Sequence, residues 1–572
     1  MRYSLINIVL FIAYTIAQNI DYSNYCWSEE LGYECCSDNI TVDSFPDKIS
    51  DSNGYWAIID GVKCGIRDGR CWSKAYKEGY PCCRNGTIPT NSDINGQWGE
   101  NDGETCGILN PVIRWNDRER VTETKEEWNA FKKEWNTYKN NFERISVFPG
   151  DNETELNFGW YSTTNTLPII CWGDEETLSK CTNYTGSIEK HYSVNNIQYY
   201  SNKVTVKGIQ RNSVYYYKRY LNGVDENDII KFTTHDSKNF KFIFVGDPQI
   251  GGAHDRYSPA NYYMEKLSVD DGTRNDAFNW NRTIISAFNF THQQPSLLLS
   301  AGDQADEEDK DKPYNEEIQY SAFLLPKQMQ QIPVAAALGN HDNISQNFRF
   351  HFNPPNPLKE PTYYSKKTGY ITGYNYFFKY NNVLVVVLES NHDTCADFKK
   401  IIVNGINKYP NTEWRIAMFH HDIYGNGVTH AHTDNIIKKN RPCLTKLLHG
   451  YKFDVVINGH DHVYTASKFI SYDENANTKK YKVYEVKDNE VNKDPKGPLY
   501  ITANCSTGAK LYEYLNSEVD YVHKNLQTYT STFGILDFYE ETDGVVSLSI
   551  TSYDVETHIV TDGPYIIEKQ KK

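Results

Sequence analysis

Five short apolar runs in the C-terminal half of this chain each stop at a residue that can bind a cation. FKFIFVG is followed by Asp247, SLLLSAG by Asp303, PVAAALG by Asn340 and His341, WRIAMF by His420 and His421, and FDVVING by His460, Asp461 and His462. Taken singly, each has a plain structural reading. Gly-Asp is a common turn, Asn-His-Asp can cap a helix, and a His-x-His pair arises by chance in a chain with 16 histidines. Taken together they describe one site, because ligands in α/β proteins gather beyond the carboxyl ends of strands. Carboxylates, imidazoles and one amide suit Fe, Zn or Mn, and the lack of cysteine separates the set from structural zinc sites. There are ligands enough for two ions, with a shared carboxylate as the natural bridge. Such a centre acidifies a water and clamps both oxygens of an in-line displacement, which suits phosphoryl transfer.

The elements that must position these residues follow from the pattern. Apolar runs bounded by glycine or proline are buried strands, and helical stretches at 277–290 and 434–449 lie between some of them. The late segment GPLYITANCSTGAK, 497–510, reads as a strand and turn close to the site.

With these motifs in view, residues 240–556 resemble the calcineurin-like metallophosphoesterases, in the purple acid phosphatase branch. The resemblance rests on Gly246-Asp247, Gly302-Asp303-Gln304-Ala305-Asp306, Gly339-Asn340-His341-Asp342, His420 and Gly459-His460-Asp461-His462-Val463-Tyr464. It implies a four-layer α/β sandwich and two divalent or trivalent ions (Fe, Zn or Mn). Asp303 would bridge them, with Asp247 and His462 on one ion and Asn340, His420 and His460 on the other. By the same resemblance His341 stabilises the transferring phosphoryl group or protonates the leaving oxygen, and Asp342 orients it. His421, His430 and His432 follow where that branch keeps substrate-facing histidines. Gln249 stands where the wider superfamily often has histidine, and is a hydrogen-bonding group rather than a ligand. Purple members carry a tyrosine three residues after the bridging aspartate. Here Asp306 takes that place, so the charge-transfer colour is expected to be missing and Asp306 is itself a candidate oxygen ligand. The implied reaction is hydrolysis of phosphate monoesters by metal-bound hydroxide. Phosphodiester hydrolysis by the same site is the alternative, and a non-catalytic binding component is the alternative of another class.

Upstream, residues 144–236 break into short alternating stretches such as ELNFGWYS and KVTVKGI, the pattern of a fibronectin type III-like β-sandwich. The linker 110–143 carries Trp128, Phe131, Trp135 and Tyr138 at helical spacing among charges, so an amphipathic helix is expected there. Residues 557–572 are set apart as a C-terminal tail. Cys171 and Cys181 bracket a loop and could pair, as could Cys395 and Cys443, which leaves Cys505 as an odd thiol.

The chain has 13 cysteines, and those at the N-terminus fall into two aligned units, 24–68 and 70–109. Each unit opens with Cys-Trp-Ser, continues through Gly-Tyr-x-Cys-Cys and Asn-Gly-x-Trp, and closes with Cys-Gly-Ile. Units this small cannot build a core, need disulfides, and are expected to display their aromatics rather than bury them. The pair resembles the tandem dockerins of anaerobic gut fungi, related to carbohydrate-binding module family 10. That resemblance implies docking onto a cohesin-bearing scaffoldin of a cellulosome-like complex, with Tyr33, Asp51 and Trp56 touching the partner in one unit and Tyr80, Asp93 and Trp98 in the other. Two spacers of no binding function are the alternative.

Length and charge bound the rest. A chain of 572 residues exceeds one core. Its formal net charge of −15, without a basic stripe, disfavours nucleic acid as a partner. Met1-Arg2, the apolar run to Ala13 and Thr15-Ile16-Ala17 make residues 1–17 a signal peptide, and no other run is long enough to span a membrane. A secreted, extracellular protein is expected, with glycosylation acceptors at Asn39, Asn85, Asn152, Asn183, Asn281, Asn289, Asn343 and Asn504.

Overall fold

The computed structural model describes residues 28–571 apart from 38, 41–43, 52–53, 71–72, 74–78, 82, 84–90, 94–95, 108–117, 120, 122, 195, 256–266, 308, 310, 364–373, 429, 477–478, 513, 516–517 and 542–543. The signal peptide read at residues 1–17 therefore lies outside the described residues. The described residues fall into two compact units, one drawn from 28–107 with 255 and 267 and one from the remainder.

In the first unit the repeat in the sequence is a repeat in structure. Residues 49–51, 54–59 and 62–70 form one three-stranded antiparallel sheet, and 91–93, 96–101 and 104–107 form another. Cys36 N–H donates to Gly65 O at 2.9 Å and Cys83 N–H to Gly107 O at 2.8 Å, so the closing Cys-Gly of each unit pairs with its Cys-Cys in the same way. Cys36–Cys64 and Cys83–Cys106 are the disulfides seen among the described residues of this unit.

The second unit begins with α1 (Lys125–Lys139), which buries Trp128, Phe131 and Trp135 as the helical spacing predicts. It is docked rather than free: Trp128 and Phe131 each meet Phe278 with ring centroids 5.3 Å apart, and Trp135 Nε1 donates to Asp270 Oδ1 at 3.1 Å. Next comes an antiparallel β-sandwich over 146–233, a four-stranded sheet facing a five-stranded one around Phe158, Trp160, Trp172 and Tyr217. Cys171–Cys181 staples two of its neighbouring strands. The sandwich is bolted to the domain that follows by a buried charge. Glu317 accepts from Tyr161 OH at 3.1 Å, with His191 Nε2 at 3.2 Å and His351 Nε2 at 2.7 Å. Burial would raise the Glu317 carboxyl, but His351 and His191 hold it down to about 2.

The catalytic-candidate domain is two mixed sheets face to face with helices on both outer sides. One sheet contains β1 (Phe240–Val245), β2 (Pro295–Ser300) and β3 (Val334–Ala336), all parallel. The other contains β4 (Tyr376–Tyr380), β5 (Val383–Val387), β6 (Trp414–Met418), β7 (Val455–Asn458), β8 (Tyr464–Ser467) and β9 (Leu499–Thr502), with β5, β6, β7 and β9 parallel. A meander of β10 (Thr532–Glu540), β11 (Val545–Asp554) and β12 (Val560–Gln570) extends the first sheet by pairing β10 with β1, and Val491–Lys493 closes its far edge by pairing with β12. Strand alternation sorts the layers. Val383, Val385 and Val387 face the space between the sheets, while Leu384 and Val386 face the outer helices. Outside the first sheet lies α2 (Val269–Phe290), begun by Ser268 accepting from Asp271 N–H at 3.1 Å, together with α3 (Pro313–Phe323). Outside the second lie α4 (Cys395–Lys408), started by a Thr394–Asp397 capping box, and α5 (Asn435–Gly450), joined to it by Cys395–Cys443.

Two sequence expectations are corrected here. Residues 557–572 are no tail: β12 is an interior strand with Tyr565 and Ile567 buried, and it pairs with β11. Asn504 is buried and its Nδ2 donates to Gln527 Oε1 at 2.8 Å, which removes it from the glycosylation acceptors of the folded chain. Among the described residues no helix is long and apolar enough to cross a membrane.

Candidate metal centre

The loops after β1, β2, β3, β6 and β7 open at one edge of both sheets and bring their polar residues together. The turns are tight. Asp247, Asp303, His460 and His462 take positive φ of 37°, 48°, 77° and 50°, a backbone region that costs a non-glycine residue about 1 kcal/mol or more. Strain concentrated at four adjacent polar residues marks a place where side-chain aim matters more than local comfort. The glycines of the motifs serve the same end. A Cβ at Gly339 would fall on the Asp303 carboxylate, and one at Gly459 on the Asp247 carboxylate, so each loop leaves room for a ligand from another.

Three imidazoles are fixed by what their outer nitrogens meet. His420 Nδ1 lies 3.1 Å from Ala301 O, His462 Nδ1 2.9 Å from Lys510 O, and His460 Nε2 3.0 Å from Asp434 Oδ2. Each of those partners is an acceptor, so each outer nitrogen carries a proton and each inner nitrogen is the one left to bind a cation or a second proton. The inner atoms converge. Around His420 Nε2 stand Asn340 Oδ1 at 2.8 Å, His460 Nδ1 at 3.1 Å and Asp303 Oδ2 at 3.2 Å. Beside them Asp247, Asp303 and His462 form a second group whose ligand atoms all lie within 4.8 Å of one another. Asp303 belongs to both groups. Lone pairs aimed at lone pairs at these distances repel unless a positive charge sits between them, and nitrogen and oxygen donors of this kind suit Fe, Zn or Mn.

The electrostatics agree. Burial would raise the Asp303 carboxyl, yet His420 and His341 hold it well below the usual range. Burial opposes a proton on His420, but Asp303 and Asp247 lift it to about 9. The field that would keep a proton there is the field that holds a cation, and the two compete for one lone pair. His460 is pushed well below the ordinary histidine value by burial and by His420 and His430.

Other expected residues fall in different places. His341 is buried beside the centre, with Nδ1 2.8 Å from Asp306 O, Nε2 2.9 Å from Gln249 Nε2, and its backbone N–H on Asp303 Oδ1 at 3.0 Å. Asp342 does not orient it. Its carboxylate accepts from the amides of Gln304, Ala305 and Gly339 and from Tyr320 OH at 2.8 Å, so it shapes the loop that carries Asp303. Asp306 is corrected as a ligand candidate. Its Oδ1 pairs with Lys510 Nζ at 3.0 Å and its Oδ2 with His254 Nδ1 at 3.4 Å, and it is absent from both ligand groups. His421 is buried with Nδ1 2.8 Å from Ser390 Oγ. His430 is half-buried with Nδ1 3.1 Å from Asp434, and His432 bonds Asn426 Oδ1 at 2.9 Å. Sequence reasoning missed Asp434 and Lys510, which no motif marks. It also missed the task of the 497–510 turn. Thr507 Oγ1 donates to Pro248 O at 2.7 Å and Cys505 Sγ to Asp247 O at 3.2 Å, clamping the first ligand loop from behind.

In the N-terminal unit, Tyr33 and Trp56 meet edge to face at 5.0 Å and Tyr80 and Trp98 at 5.1 Å, again one arrangement twice. The tryptophans are not displayed as expected: Trp56 is 1% and Trp98 7% exposed, whereas Tyr33 is 43% exposed. Lys63 Nζ lies 3.8 Å above the Trp56 ring. The side chains of Asp51 and Asp93 lie outside the described residues.

Comparison with known proteins agrees with this geometry. Residues 240–464 match the family model described as calcineurin-like phosphoesterase. A purple acid phosphatase from yellow lupin (Lupinus luteus) seeds shares the fold, with a TM-score of 0.52 at 13% identity over 75% of this chain and 74% of that one. Endoglucanase B of Neocallimastix patriciarum is 38% identical over 66 residues, 10% of this chain, so the chain spans 12% of that relative's length. Residues 240–464 are thus read as a calcineurin-like phosphoesterase domain, on a fold shared with the lupin enzyme.

Proposed function

We propose that this chain is a metal-dependent phosphatase that hydrolyses phosphate monoesters outside the cell while docked, through its paired N-terminal modules, on a cohesin-bearing scaffoldin. The observation that carries the catalytic part is the convergence of Asn340 Oδ1, His460 Nδ1 and Asp303 Oδ2 on His420 Nε2, beside the Asp247–Asp303–His462 group. Asp303 would bridge two ions. Asp247 and His462 would complete one, and Asn340, His420 and His460 the other. When bound, the ions supply positive charge for the phosphate oxygens and activation of the attacking water. The chain's own residues do the rest. Asp306 O holds His341 Nδ1–H, and Nε2 accepts from the Gln249 side-chain amide. Against burial, Asp303 and Asp306 raise His341 above the ordinary histidine value, and as imidazolium, with the Gln249 amide turned to present its oxygen, it would carry an Nε2 proton to deliver. As the water oxygen bonds phosphorus and the ester P–O bond breaks, that proton goes to the leaving alcohol oxygen, giving alcohol and inorganic phosphate. His430, at the half-buried side of the cluster, would face the substrate. Asp306 is neutralised by Lys510 and offers no phenolate, so Mn, Zn or ferrous iron serves as well as ferric iron. Turnover of p-nitrophenyl phosphate well above that of its bis-ester, with Mn, Zn or Fe added, is the expected result. A preference for the bis-ester would make the protein a diesterase, and no turnover by folded protein would leave a binding component.

Support for docking comes from the duplicated module and its Tyr–Trp pairs, and from the stretch shared with an endoglucanase. Two modules on one chain bind with the added effect of local concentration. The disulfides suit an oxidising compartment, in line with the signal-peptide reading. The β-sandwich is read as the fibronectin III-like domain that precedes such catalytic domains. Tyr33→Ala with Tyr80→Ala should release the chain from cohesin-bearing scaffoldin by about tenfold or more and leave turnover unchanged. The tyrosines are the better probes because truncating Trp56 or Trp98 would also hollow the module. Unchanged pull-down by the double variant would end the docking proposal.

A further inference from the structure

One carboxylate at the rim of the centre gives up an ordinary structural task for an unusual one. Asp434 is the N-cap residue of α5, where an aspartate normally accepts from amides of the first turn. Its side chain makes no such bond. It turns instead to two imidazoles, with Oδ2 3.0 Å from His460 Nε2 and 3.1 Å from His430 Nδ1. The rings of His430 and His460 lie 4.3 Å apart, joined through this one oxygen. The other two ligand histidines are held by neutral backbone carbonyls, Ala301 O and Lys510 O. His460 is thus the one ligand of the three whose outer N–H is within hydrogen-bond distance of a carboxylate, whereas Asp247 Oδ1 stands 3.7 Å from His420 Nδ1. A charged acceptor fixes the tautomer more firmly than a carbonyl and makes the inner nitrogen a stronger donor.

We propose that Asp434 is the positioning residue of the centre: it fixes His460 with Nδ1 turned inward, strengthens the ion held by Asn340, His420 and His460, and sets His430 beside that ion through its second bond. The inference rests on the dimetal reading above and goes further by making the two metal positions unequal. One leans on an anionic support that is 32% exposed, and the other on the neutral backbone carbonyl of Lys510. Because no capping bond is lost, replacing Asp434 should leave α5 and the fold in place.

The test is competition between a chromophoric chelator and the full-length chain, stripped of metal and titrated with Zn or Mn, for wild type, Asp434→Ala, Asp434→Asn and His430→Ala. Asp434→Ala should weaken one ion by about 10–100-fold while the other stays within about twofold, at an unchanged melting temperature of the metal-free chain. Asp434→Asn, which keeps an acceptor but not the charge, should fall between, and His430→Ala should leave both ions near wild type. Two unchanged affinities in Asp434→Ala, or two that fall together with the melting temperature, would overturn the inference. A wild-type chain that takes up no second ion would overturn the dimetal reading itself, a separate result from the same titration.

Discussion

Asp303→Asn will lower phosphate-monoester turnover by about 10³-fold or more, because the one carboxylate shared by both ligand groups loses its charge. The substitution is nearly isosteric, and an asparagine Oδ1 can still accept the His341 N–H that Asp303 receives at 3.0 Å. The fold should therefore survive. What disappears is the negative charge facing His420 Nε2 at 3.2 Å and the carboxylate held within 4.8 Å of Asp247 and His462. Both ions would be weakened at once, which separates this variant from one that touches a single ligand. Steady-state kinetics with metal in excess, beside a thermal melt of the metal-free chain, check the claim. Near-normal turnover would contradict the bridging role.

The second large effect belongs to His341→Ala. Loss of a positioned proton donor costs about 10²–10⁴-fold in turnover, and the size should depend on the leaving group. His341 ligates neither ion in this arrangement. Its Nδ1 faces Asp306 O and its Nε2 faces Gln249, so both metal affinities should persist in the variant. A proton on the leaving oxygen matters little to p-nitrophenolate and much to an alkoxide. The penalty should therefore grow from p-nitrophenyl phosphate to simple alkyl phosphates. A penalty equal for all esters would assign His341 to charge stabilisation of the phosphoryl group instead.

The convergence of Asp247, Asp303, Asn340, His420, His460 and His462 was legible because the place of each is set by local sequence. An apolar run predicts a strand, the glycine after it predicts a turn, and the residue beyond lies at the strand's carboxyl end. The amphipathic helix was legible for the same reason, since Trp128, Phe131 and Trp135 carry their own spacing. What stayed hidden depends on partners distant in the chain. Asp434 meets His460 across 26 residues, and Lys510 meets Asp306 across 204, with no pattern to announce either. Asp342 sits next to His341, and the family resemblance assigned it to orienting that ring. The strand-end turn sends its carboxylate the other way, into the amides of the Asp303 loop. The N-terminal tryptophans were misplaced by an argument from size. A small module was expected to display its aromatics, but Lys63 and the neighbouring tyrosine cover Trp56. The last strand was missed because its buried positions are few and polar residues surround them.

The most direct test of the dimetal account follows bound metal and phosphate release together as the stripped, full-length chain is titrated with Zn or Mn in the presence of p-nitrophenyl phosphate. The account predicts negligible release under chelation and a rise that tracks binding of the second ion. Full release after complete chelation, or at a single bound ion, would contradict it.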